Sequence, residues 1–423
     1  MKKLLMLLVV MFALSLVVIG CGPADETPDT AKEETVGTDE ETANVPAKPD
    51  KLEIWANDDD YQFAAVKYLV DQFVEEHGIE VIVTPRLMAD QDEAFALDAP
   101  GGIGPDLIFQ PHDRLGNLTS QNLLAPLEVD EATLAQYTAE AVGAFMIDGV
   151  AYGAPLVMEN TALYYNKDLV PEVPGTMEEL YDLAEGLTNV ANDEYGFLFE
   201  ALNFYHAFPW IGGHGGYVFG QDADGNYDPE DIGLNNEGAV RSYEEIQSLF
   251  NRGIVPRGIN EDVLNGLFTQ GKVGMVVSGP WALASYSDAL GDSLAVAPLP
   301  LLSNGERPTP FAGVKGWLVS NYSDHKYWAS QLALHLTTAE SQAYYYAETG
   351  EIPARPDANI DNVFAEGFLA QSQTAIPMPN IPEMGQVWAP MADSLQFNAA
   401  GDNAKEILDE AVEEIHEFIK MMK

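Results

Sequence analysis

Residues 51–83 read KLEIWANDDDYQFAAVKYLVDQFVEEHGIEVIV, and this stretch decides the fold class. Lys51 to Trp55 alternates apolar and polar residues, the period of a strand. Asn57, Asp58, Asp59 and Asp60 make a polar turn. Phe63, Val66, Leu69, Val70, Phe73 and Val74 then recur at helical spacing, and Gly78 is a helix stop. Ile79 to Val83 is a second strand. A strand–helix–strand unit closes with a right-handed crossover, so the pattern predicts parallel pairing at the start of an α/β fold.

The same logic recurs downstream. Pro100 to Gly104 is a glycine-rich loop. Pro105 to Phe109 reads as a buried strand that runs into Gln110, Pro111, His112, Asp113 and Arg114. Ala151 to Met158 is a strand ending at Glu159. Leu163 to Asp168 is a strand leading to a turn, and Lys272 to Val277 is another. Ser278-Gly279-Pro280-Trp281 opens a helix; Pro280 suits its first position, which holds Trp281 at a helix mouth. Ligands of open α/β sheets bind beyond the carboxyl ends of strands, which places Asp59, Asp113 and Arg114 near one crevice. Ile407 to Phe418 carries Leu408, Ala411, Val412 and Ile415 on one face, with Ile419 continuing it. Its other residues are mainly Glu and Asp, so it reads as a packed helix and not a membrane-surface one.

The N-terminal end has a different character. Residues 1–20 put Lys2 and Lys3 before an apolar run, the form of an export signal. Val18-Ile19-Gly20-Cys21 fits a bacterial lipobox, which makes Cys21, the only cysteine, the lipidation site. Residues 21–50 are the lipidated cysteine and an acidic tether too poor in large apolar residues to order itself. No later stretch is long and apolar enough to span a bilayer, so the expected membrane link is the N-terminal lipid alone.

The formal net charge is -47. The signal contributes +2 and the tether -7, so the body from Lys51 onward carries -42. Such a surface repels phosphates, which excludes nucleic acid as a partner. No histidine pair has the spacing of a helical zinc site, and no metal or cofactor is expected. Asp222 to Asp228 resembles a calcium loop, but its glycine falls at the fourth position and no glutamate at the twelfth, so a hairpin turn fits better. No Gly-x-Ser-x-Gly elbow and no phosphate-binding glycine loop occur. Paired carboxylates would suit a glycosidase, but in so acidic a chain such pairs arise by chance. What remains is a set of acids, one arginine, a tyrosine and tryptophans at strand ends. Charged groups hydrogen-bond sugar hydroxyls, and aromatic faces pack on pyranose rings.

At these residues the body resembles the maltose/maltodextrin-binding branch of the extracellular solute-binding proteins. The resemblance runs from Lys51 to the C-terminus and rests on seven segments in family order: KLEIW, GPDLIFQPHDRLG, YGAPLVMEN with ALYYNKDLVP, FPWIGGHGGYVF, SGPWAL, PFAGVKGW and MPNIPEMGQVW. It implies a two-lobed periplasmic-binding-protein-like α/β fold, each lobe a mostly parallel sheet flanked by helices, joined by a multi-strand hinge. Lobe one would be residues 51–157 with 297–340, and lobe two 158–296 with 341–423. It also implies the substrate-binding component of an ABC importer, not an enzyme. The protein would be a monomer anchored by lipid on the extracytoplasmic face of the cell membrane. It would bind a maltose/maltodextrin-type oligosaccharide between its lobes, and closure would be read by permease subunits.

Site residues carry over one at a time. Asp59 matches the acid after the first strand, Asp113 and Arg114 an acid–arginine pair, and Glu159 the acid at the hinge strand's end. Tyr205, Trp281 and Trp388 match stacking aromatics. Four positions depart: Asp60 stands where the family has lysine, Gln110 for tryptophan, Asn203 for glutamate and Ala392 for arginine. Trp55, Trp210, Trp317 and Trp328 are read as core. A secreted glycan-active hydrolase and a receptor for another sugar or a non-sugar ligand are the alternatives.

Overall fold

A computed structural model describes residues 45–360 and 363–422. The export signal, Cys21 and the tether up to residue 44 lie outside the described residues. The stretch assigned to the tether through Asp50 is engaged earlier than expected: the Trp328 indole N–H donates to Ala47 O at 3.1 Å, and Lys48 Nζ donates to His77 O at 2.7 Å.

The opening unit forms as read. Strand β1 (Lys51–Ala56) pairs in parallel with β2 (Glu80–Pro85) and with β3 (Leu107–Pro111). Helix α1 (Asp60–His77) connects β1 to β2 and buries Ala65, Val66, Leu69, Val70 and Phe73 against the sheet. Asp59 caps it, accepting N–H bonds from Tyr61 (3.1 Å) and Gln62 (3.0 Å) on one oxygen. Gly78, at φ 68°, ends it in the left-handed conformation that glycine tolerates without a Cβ penalty.

The first sheet runs in the order Ile352–Pro353, Gly153–Glu159, Phe311–Val319, β3, β1, β2, and Ile376–Pro377 adds to Phe311–Val319. The second runs Leu294–Ala297, Ala162–Asn166, Val273–Ser278, Tyr195–Leu198. Each is the floor of one lobe. The sheets are mixed and not mostly parallel. Strand Phe311–Val319 is antiparallel to both β3 and Gly153–Glu159, and Ala162–Asn166 is antiparallel to both its neighbours. The cause is connectivity: strands that leave for one lobe or return from the other lack the helical crossover that makes a neighbour parallel.

The lobe boundaries also differ from the expected ones. Met158 and Glu159 still pair with Val314 and Gly313 in the first sheet. Helix Ala339–Thr349 packs on α1, and Ile352–Pro353 extends the first sheet, although 341–423 had been assigned to the second lobe. Ile376–Pro377 also pairs with Phe311–Val319, so the chain beyond residue 341 contributes to the first sheet twice. Nothing in the local pattern of an amphipathic helix says which lobe it will cover.

One strand is rooted in both cores. Trp317 lies with Leu52, Phe73 and Phe109 in the first. Phe311 lies with Phe204, Phe208 and Trp210 in the second and stacks on Phe208 at a centroid distance of 3.6 Å. Trp55, Trp210, Trp317 and Trp328 are all buried, as read from sequence. Asp222 to Asp228 spans a short antiparallel hairpin between Gly220–Gln221 and Tyr227–Asp228, also as read.

Candidate functional site

Between the two sheets lies a cleft of about 580 Å³, and all seven expected residues line it: Asp59, Asp113, Arg114, Glu159, Tyr205, Trp281 and Trp388. They come from separate elements. Asp59 is the cap of α1. Asp113 and Arg114 form the turn after β3. Glu159 ends the strand Gly153–Glu159. Tyr205 opens the helix Phe204–Gly213, Trp281 sits in the turn Pro280–Ala282, and Trp388 begins the helix Trp388–Ala400.

Burial acts on each of these cleft acids. Burial pushes the pKa of Asp59 up, against the two N–H bonds from the helix N-terminus that lower it. Burial also raises Asp113, which the neighbouring Arg114 only partly offsets. The Arg114 guanidinium lies 3.4 Å from Asp113 and 3.3 Å from Asp92, so it is braced from two sides. Glu159 is raised by burial too, although Lys315 Nζ stands 2.8 Å from its Oε2. Carboxylates of this kind gain most from a ligand that brings hydroxyl donors.

The aromatics are fixed by local packing. In Gly279-Pro280-Trp281 the indole folds back over Gly279, where a Cβ would lie 1.8 Å from the ring. Its N–H donates to Glu261 Oε1 at 2.8 Å, which sets the ring plane. Tyr205 lies 6.1 Å from Trp281 between ring centroids, and its hydroxyl is buried with no hydrogen-bond partner among the described residues. Burial and the nearby Glu159 and Asp113 push that phenol well above its ordinary pKa, so it stays a donor. Trp388 packs edge-on against Phe204 and Phe311. Its indole N–H lies beside the Asp113 carboxylate without completing a hydrogen bond.

Two sequence segments meet behind the site. Gly116, which ends the GPDLIFQPHDRLG segment, touches the backbone of Ile381 and Pro382; a Cβ there would lie 2.3 Å from them. His112 accepts from Val314 N at its Nδ1 (3.1 Å), so Nε2 carries the proton and donates to Met378 O at 2.9 Å. This neutral imidazole thus ties β3 to the segment that leads toward Trp388.

The four departures from the family pattern have definite places. Gln110 is buried and donates to Met88 O at 2.9 Å. Asn203 lines the cleft and caps Tyr205 N at 3.0 Å. Asp60 is exposed, and Ala392 is half-buried. Among the lining residues that escaped the sequence reading, two are charged and hydrogen-bonded within the site. Glu261 looks like an ordinary first-turn acid of its helix. Lys315 is the one charge in the apolar strand Phe311–Val319, and a lone charge in a buried strand is a signal that could have found it.

A profile described as bacterial extracellular solute-binding protein matches residues 68–369. The galactooligosaccharide-binding protein of Bacillus subtilis (strain 168) is 35% identical over 413 residues, covering 95% of this chain and 94% of the relative. The maltodextrin-binding protein MdxE of the same organism is 34% identical over 371 residues, covering 84% and 87%. Among solved structures, a cyclo/maltodextrin-binding protein complexed with maltotetraose matches with a TM-score of 0.75 at 39% identity, covering 89% of this chain and 99% of its own. The Thermus thermophilus maltotriose binding protein bound with maltotriose matches with a TM-score of 0.82 at 33% identity, covering 87% and 100%. The two-lobed architecture, the cleft and these similarities together establish that the chain belongs to the bacterial extracellular solute-binding proteins.

Proposed function

We propose that this chain is the extracytoplasmic receptor of an ABC importer and that it clamps a maltose/maltodextrin-type oligosaccharide, releasing it unaltered. The observation that carries the reading is the meeting of seven residues from six elements in one cleft. Trp281, Trp388 and Tyr205 supply faces for pyranose rings. Asp59, Asp113, Glu159 and Arg114 supply charged partners for hydroxyls. The names of the relatives support the same ligand class and a role in binding, not catalysis. The lipid at Cys21, the place on the outer face of the membrane, the permease subunits and the monomeric state belong to this proposal as well. They are supported by the lipobox and by relatives named as solute-binding lipoproteins of an ABC transporter.

A galacto-oligosaccharide is the second reading, favoured by the name of the relative that covers 95% of this chain. Calorimetry of the body from residue 45 onward against maltotriose, maltotetraose and a β-galactotriose separates the two. Micromolar or tighter binding of the malto-oligosaccharides is expected. Tighter binding of the galactotriose would move the assignment. Reducing-end release from maltotriose on long incubation would replace it with a hydrolase.

A further inference from the structure

Lys315 is 3% exposed, yet it carries a charge. An uncompensated ammonium in such a place is costly, and the surroundings answer that cost. Nζ lies 2.8 Å from Glu159 Oε2 and in contact with Glu351 Oε1. Glu351 is wholly buried and accepts a second hydrogen bond from the Tyr345 hydroxyl at 3.0 Å. Burial works against the lysine's charge, and the two carboxylates outweigh it, so its pKa is raised.

The network is not closed on itself. Lys315 lines the cleft, and its Nζ stands 5.5 Å from the centroid of the Trp281 ring. Lys315 belongs to the first lobe and Trp281 to the second, so this cation faces the ring across the cleft. An ammonium has three N–H donors. Glu351 accepts one of them, Glu159 Oε2 stands 2.8 Å away as an ion-pair partner, and a further donor is left for the cleft that Lys315 lines. The neighbouring strand Gly153–Glu159 carries an extra residue, Leu156, between the partners of Lys315 and Gly316, while the pairing of Lys315 with Pro111 on β3 runs without a break. Gly313 leaves room for Glu159 beside the lysine, because a Cβ there would lie 2.9 Å from the Glu159 side chain.

We propose that Lys315 is a ligand-binding and specificity-determining residue: this further N–H donates to an oxygen of the sugar unit lying on Trp281, while its ion pair fixes Glu159 to accept a hydroxyl of the same unit. This rests on the proposed function above. The unit at this point must then offer an acceptor and a donor side by side, as vicinal hydroxyls do.

Removing Lys315 alone would leave Glu159 and Glu351 facing each other, so the test neutralises one of them as well. K315M/E351Q, K315Q/E351Q and E351Q are compared with the wild type by thermal melting and by calorimetry with maltotriose. E351Q is expected to stay within about threefold of wild-type affinity. K315M/E351Q is expected to bind roughly tenfold to a hundredfold more weakly, the range for loss of a charged hydrogen bond. K315Q/E351Q, which keeps a neutral N–H, should fall between and supplies the comparison if the methionine variant does not fold. Wild-type affinity in whichever double variant is folded would overturn the proposal and reduce Lys315 to a neutraliser of buried acids. If the wild type itself binds neither the malto- nor the galacto-oligosaccharides, the functional reading fails and the Lys315 assignment falls with it, a result distinct from equal affinities.

Discussion

The Tyr61 hydroxyl on α1 of the first lobe donates to Asp288 Oδ2 on the second, 2.7 Å away. Neither residue lines the cleft. A bond that joins the lobes without touching a ligand acts only on the equilibrium between their arrangements. Tyr61→Phe is therefore expected to weaken sugar binding by about twofold to tenfold, the worth of a partly exposed hydrogen bond. Calorimetry checks this, and the melting temperature should move little. Unchanged affinity would mean that the bond is as easily made to water.

Trp281 and Trp317 separate binding from stability. Trp317 is fully buried in the first core, so Trp317→Ala should cost about 3–5 kcal/mol of folding stability. Trp281 is half-buried on the cleft wall, so Trp281→Ala should weaken sugar binding by tenfold or more, with a far smaller loss of stability. Melting curves and calorimetry on the same two variants decide it. Equal effects of both on binding, with folding intact, would remove Trp281 from the site.

Gly279→Ala tests the platform without touching its chemistry. The added Cβ would meet the Trp281 ring at 1.8 Å, so the indole must turn away. Binding should fall nearly as far as in Trp281→Ala, and tryptophan emission should shift as the bond to Glu261 breaks. A crystal structure with the ring unmoved would contradict the account.

Stability should decline as pH falls through the histidine range. Burial lowers the pKa of His112, His206 and His335 in the folded protein. Unfolded histidine takes up a proton near pH 6.5, so below that value the unfolded chain binds more protons and is favoured. The raised acids Asp59, Asp113 and Glu159 act in the opposite sense, because the folded state holds their protons more tightly. Melting temperatures at pH 7.5 and pH 6 are expected to differ, and His112→Gln should narrow the gap. A flat profile would count against neutral buried imidazoles.

Much of the fold was legible because its signals are local. The alternation of Lys51 to Trp55, the helical recurrence from Phe63 to Val74 and the stop at Gly78 each need only a few neighbours. Asp113 and Glu159 could be placed because a strand's carboxyl end is visible in sequence. The illegible parts depend on distance. Lys315 and Glu351 are 36 residues apart, and neither shows from its own surroundings that the other neutralises it. Glu261 has the look of a dipole-favouring first-turn acid, and its bond to Trp281 exists only in the folded protein. Helix Ala339–Thr349 has a packed face, but that face says nothing about which lobe it covers.

The strand Phe311–Val319 sets what the two halves can do to one another. Its first residue is clamped among aromatic rings in one body, and Trp317 is sunk in the other. Lys315 lies between these two anchors, at the join of the bodies, so a change in the angle between them would displace it less than the rims.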